Sequence, residues 1–125
     1  MTSFLTRAII IIGNGSAADP VLVGELVSRI NFTSRLEWLK LQCINLTPNP
    51  AAVIARSLYQ APNLLKLDLS WNPLGEGVRD LTRHLSRAPN LKTLRLYDVQ
   101  IKKKQVNDLS EAVHHQNKIT ILPNY

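Results

Sequence analysis

The sequence predicts an α/β fold: a right-handed βα superhelix, with parallel strands on a concave face and helices on a convex face. Two observations predict it. An eleven-residue apolar frame starts at Leu36, Leu64 and Leu91, so its copies lie 28 and 27 residues apart. Between copies the apolar spacing changes from two to three and four, the signature of a strand giving way to a helix. Strands pack at about 4.8 Å and helices are about 10 Å across, so an array of such units must curve with its helices outside.

The clearest copy runs from Leu64 to Leu74, L-L-K-L-D-L-S-W-N-P-L. Leu67 and Leu69 sit two apart and point to one face of a strand. Asn72, ninth in the frame, is placed to hydrogen-bond backbone groups where the chain leaves the strand, and Pro73 stops the strand from continuing. Upstream, Leu36, Leu39, Leu41 and Leu46 hold the same positions, with Ile44 ninth. Downstream, Leu91, Leu94, Leu96 and Ile101 do so, with Val99 ninth. A degenerate copy starts near Thr6, with Ile9 and Ile11 as the paired residues and Asn14 ninth. An incomplete copy starts near Ile119, with Leu122 fourth, and Pro123 is expected to end its pairing. Residues 1–125 thus form a single domain of stacked units, because no unit can bury its own apolar faces alone.

Helices are expected between the strands. Val23, Leu26 and Ile30 share one helical face, as do Ala51, Ile54 and Leu58, then Val78, Leu81 and Leu85, then Val106, Leu109 and Val113. Asp19-Pro20 and Asn49-Pro50 are expected to be N-cap and first helical residue of the first two. Gly75-Glu76-Gly77 opens the third. The triplets Ala61-Pro62-Asn63 and Ala88-Pro89-Asn90 end helices and reset the chain for the next strand.

Composition narrows the function. A length of 125 residues suits one domain, and 45% hydrophobic residues are ample for a packed core. No apolar run approaches the roughly 20 residues of a membrane span. Ala8 to Ile12 is shorter than a signal-peptide core of about 7–15 residues. The single cysteine, Cys43, excludes an internal disulfide and points to a reducing, cytoplasmic compartment. The sequons at Asn14, Asn31 and Asn45 are then expected to be chance. A net charge of +6 favours acidic partners. Lys102-Lys103-Lys104 reads as a solvated loop, not a phosphate clamp, so nucleic acid is the lesser expectation.

Nothing points to catalysis, a metal or a cofactor. No nucleophile-base constellation or paired-carboxylate pocket stands out, and His84, His114 and His115 lack ligand partners at workable spacing. These histidines are expected to be solvent-exposed or helix-terminal. Ile9 to Ala18 contains G-x-G-x-x-A after a strand, the dinucleotide fingerprint. There a helix should begin at Gly15, and Pro20 would fall inside and break it. Glu37, at about the spacing of a ribose ligand, precedes its strand instead of ending it. No lysine follows the glycines, which removes a Walker loop.

The segment Leu64 to Leu91, L-L-K-L-D-L-S-W-N-P-L-G-E-G-V-R-D-L-T-R-H-L-S-R-A-P-N-L, resembles one unit of the ribonuclease-inhibitor-like class of leucine-rich repeats. That class includes the C-terminal arrays of NOD-like receptors, RanGAP-type GTPase activators and the C-terminal part of tropomodulins. The G-x-G-V cadence looks most like NOD-like receptors. The resemblance implies a non-enzymatic protein-recognition module, a ligand-sensing or regulatory segment in innate immunity. The alternative it implies is a regulatory array acting on a GTPase or on actin. Ile44 and Val99 depart from the family asparagine, which puts the usual turn ladder of those two units in question.

In such an array the variable strand positions face the concave side. The third, fifth, seventh and eighth give Trp38, Lys40, Gln42 and Cys43, then Lys66, Asp68, Ser70 and Trp71, then Thr93, Arg95, Tyr97 and Asp98. Trp38, Lys40, Lys66, Asp68, Trp71, Arg95, Tyr97 and Asp98 are the candidate partner-binding residues, since Trp, Tyr and Arg dominate interface hot spots. Stacking is expected to interleave the aromatic residues Trp38, Trp71 and Tyr97 with the cations Lys40, Lys66 and Arg95. Cys43 is expected to be half-buried and inert. The first strand is apolar on both faces, so the chain is expected to be cut from a longer array, with self-association through that bare edge as the competing expectation.

Overall fold

The computed structural model describes residues 7–15, 20–31, 35–85, 90–114 and 120–124. Strands β1 (Ala8–Ile12), β2 (Trp38–Gln42), β3 (Lys66–Asp68), β4 (Thr93–Tyr97) and β5 (Thr120–Asn124) alternate with helices α1 (Pro20–Asn31), α2 (Pro48–Ser57), α3 (Val78–Leu85) and α4 (Lys103–His114). The five strands form one parallel sheet in chain order, β1-β2-β3-β4-β5. Strand pairing sets Ile9, Leu39, Leu67 and Leu94 opposite one another, and Ile11 opposite Leu41. Consecutive helices pack side by side over one face of the sheet. Expected starts at Thr6 and Ile119, the Asp19 cap, the Ala88-Pro89 helix end and His115 lie outside the described residues.

One apolar interior runs through all the units. Leu39, Leu41, Leu67, Leu69, Leu94 and Leu96 from the strands join Leu26, Ile30, Ile54, Leu81, Leu85 and Leu109 from the helices in a single cluster. Alternation along each strand delivers the leucines, and spacing of three and four delivers the helical residues. Each fully buried leucine contributes about 1.5–3 kcal/mol, but only because the next unit covers it.

The turns after the strands repeat as well. The eighth frame position takes a left-handed backbone at Cys43, Trp71 and Asp98, with φ of 54°, 64° and 50°. The tenth does so at Gly15, Asn45 and Gln100 but not at Pro73, whose ring holds φ negative. That third unit holds its turn with Asn72 instead. Asn72 Oδ1 accepts the N–H groups of Ile44 and Leu46, each at 3.1 Å. Its Nδ2 donates to the carbonyls of Leu41 at 2.7 Å and Leu69 at 3.0 Å. The unit with Ile44 ninth therefore has its turn satisfied by the asparagine of its neighbour.

Two local expectations change. The N-cap of α2 is Thr47, not Asn49, and Pro48 is its first residue. Pro48 and Pro50 both fit because the first N–H groups of a helix have no partner inside it. At the far edge, β4 pairs Leu94 with Ile121, not Leu122, and the ladder continues through Pro123 opposite Leu96. A proline is tolerated there because β5 is an edge strand.

Asn72→Ala takes the acceptor from the buried N–H groups of Ile44 and Leu46 and the donor from the carbonyls of Leu41 and Leu69, and is expected to lower stability by about 2–4 kcal/mol in urea unfolding. Gly24 lies inside α1 with open space where a Cβ would stand. Gly24→Ala is expected to raise stability by about 0.5–1 kcal/mol in the same measurement.

Candidate functional site

The face of the sheet away from the helices is open, and strand register arranges its side chains in rows. One row holds Ala8, Trp38, Lys66 and Thr93; the next holds Ile10, Lys40, Asp68 and Arg95. Trp38 is exposed, and Lys66 places its ammonium 5.5 Å from the centre of the Trp38 ring. That is a cation–π contact, which fixes the lysine head over the indole. Arg95 is exposed and Lys40 half-buried, so both stay accessible.

Asp68 is a correction. It is only 3% exposed and is not presented to a partner. Its carboxylate accepts Gln42 Nε2 at 2.8 Å and the Ser70 N–H at 3.0 Å. Ser70 is buried too, and its Oγ accepts the Tyr97 N–H at 3.0 Å. The cause is the shortness of β3. Its strand ends at Asp68, so side chains take over the bonds that a longer strand would have made.

The expected interleaving of aromatic and cationic columns is replaced by two clusters. Trp38 and Lys66 occupy the third frame position. Trp71, 50% exposed, occupies the eighth, where its N–H donates to the Tyr97 carbonyl at 2.8 Å. Lys66 opens β3, whereas Trp71 lies in the turn that follows it, so the two clusters stand at opposite ends of the unit's strand segment. Tyr97 is half-buried and Asp98 exposed, both at the Trp71 end, and Cys43 is a half-buried free thiol there.

Other residues bear on chemistry. Among the described residues no group of three or more His, Cys, Asp and Glu side chains could hold a metal, and no helix is long and apolar enough to cross a membrane. His84 lies in the last turn of α3, one of the two expected placements, but it is buried and not solvent-exposed. It is 5% exposed, with its ring centre 3.8 Å from that of Tyr59. Position 84 follows Leu81 by three, so it falls at the margin of the buried stripe of α3. Lys103 and Lys104 are solvated as expected, but they open α4 and do not form a loop.

The glycines of the dinucleotide-like segment have repeat-turn roles. A Cβ on Gly13 would stand 2.6 Å from the Cys43 carbonyl oxygen of the next unit. Gly15 has φ of 87°, matching Asn45 and Gln100 at the same frame position.

A solved structure similar to this chain is the Leiomodin-1 Actin-Binding Site 2 (ABS2). The TM-score is 0.79 and the sequence identity 16%, over 95% of this chain and 70% of that one. The fold is of the leucine-rich-repeat type. No protein-family model and no curated protein sequence matches the chain. Within this leucine-rich-repeat fold the open face carries the accessible aromatic and cationic residues of the frame, and Asp68 and Ser70 serve its interior.

Asp68→Ala removes the acceptor of two hydrogen bonds and is expected to cost about 2 kcal/mol of stability. Arg95→Ala, on the exposed position beside it, should stay within about 0.5 kcal/mol. Urea unfolding of the two variants side by side checks the assignment.

Proposed function

We propose that this chain is a non-enzymatic protein-recognition module that works through the open face of its sheet, and that its partner is actin. Fold likeness over 95% of the chain to an actin-binding site of leiomodin-1 is the observation that carries the choice of partner. It supports the actin-regulatory alternative raised by the repeat resemblance, a role set in the cytoplasm. The NOD-like receptor and innate-immune reading draws no comparable support.

The repeat geometry supports a solenoid for this role. In-register parallel strands at about 4.8 Å beside helices about 10 Å across make the open face concave. A concave face holding Trp38, Trp71, Arg95 and Tyr97 has the residue types that bind proteins strongly. No active site is required by this role.

The test is co-sedimentation with filaments and an assay of actin polymerisation. Wild-type chain should pellet with filaments or change the rate of assembly. Trp71→Ala with Tyr97→Ala should weaken the effect at least about tenfold while melting changes little. A chain that stays in the supernatant and leaves assembly rates untouched rejects actin as the partner. Unchanged affinity in the double variant rejects the open face.

A further inference from the structure

We propose that the open face receives an acidic protein segment with an apolar end, laid across the strands. The inference rests on the recognition role above and names the chemistry of the partner. Strand register grades this face from β1 to β4. At the β1 edge Ile10 and Ile12 are 49% and 62% exposed, whereas Ile9 is buried and Ile11 half-buried on the other face of the strand. Trp38 extends this apolar end onto β2, since its register partner on β1 is Ala8. Beyond it the exposed charge is positive. Lys40 pairs in register with Asp68, and Asp68 with Arg95, while Lys66 stands in the adjoining row.

The one carboxylate in those rows is turned inward. Asp68 accepts from Gln42 and Ser70 and is buried, so it presents no negative group to solvent. Lys40, Lys66 and Arg95 have no ion-pair partner among the described residues, whereas on the helix side Arg56 pairs with Asp80 and Arg79 with Glu76. A strip of cations ending in bare isoleucine and tryptophan matches carboxylates ending in apolar side chains. It matches a second copy of this chain poorly, because a net charge of +6 repels its own kind. The dimensions agree. From β1 to β4 there are three strand spacings of about 4.8 Å, roughly 14 Å, which about ten helical residues cover at about 1.5 Å each.

The probe is a fluorescein-labelled helical peptide of about 14 residues, with leucines at one end and glutamates at helical spacing along the rest. Anisotropy with the whole chain should report binding that weakens about fivefold between roughly 50 and 300 mM salt. Lys40→Glu with Lys66→Glu and Arg95→Glu should weaken it at least about tenfold, and Ile10→Ser with Ile12→Ser about fivefold. Circular dichroism confirms that each variant is folded. The charge variant alters only accessible positions, so it stands as the test should the isoleucine variant unfold. Equal binding of a peptide with lysine for glutamate would overturn the proposal, as would undiminished binding by the charge variant or sedimentation of the chain as a dimer without peptide binding. Undiminished actin pelleting by the charge variant would remove this inference and leave the recognition role. Peptide binding without actin binding would do the reverse.

Discussion

Everything in this fold depends on apolar faces that have no cover except the next unit. A lone strand and helix of this pattern would leave Leu67, Leu69, Leu81 and Leu85 against water on the side where a neighbour belongs. Stacked in register, Leu39, Leu67 and Leu94 stand opposite one another and share one interior with the helices. The unit period is a consequence, because each crossover must return the next leucine pair to the same height.

Turns follow from that constraint. Each unit must leave its strand at the same height, which drives non-glycine residues into the left-handed region at Cys43, Trp71 and Asp98. Such backbone is mildly unfavourable for these residue types and persists because the stack over-determines it. Polar groups at the turn are then satisfied across the unit boundary. Asn72 reaches back to Leu41, Ile44 and Leu46, so an asparagine in one unit serves a neighbour that carries isoleucine in its place.

The same stacking leaves the other face of the sheet free to vary. A residue there meets only its cross-strand neighbours and solvent, so tryptophan, lysine and arginine can stand where the interior would reject them. Lys66 over Trp38 at one end and Trp71 beside Tyr97 at the other are arrangements of this kind. Burial of Asp68 and Ser70 shows that the open face is not uniformly open. Near the end of the short β3 strand, side chains replace ladder bonds and turn inward.

Periodicity was enough to read the α/β repeat, the parallel strands and the shared interior, because a two-residue and a 3.6-residue rhythm map directly onto buried faces. It failed where partners come from other units or where edges relax the rules. Thr47 in place of Asn49 as the cap, Ile121 in place of Leu122 opposite Leu94, and a strand running through Pro123 are all end effects. The inward turn of Asp68, the burial of His84 beneath Tyr59 and the reach of Asn72 needed the tertiary structure, since each is set by a group about 25 or more residues away in sequence. Local spacing determines which face a residue takes; only the packed neighbours decide whether that place is solvent, a hydrogen-bond acceptor or another ring.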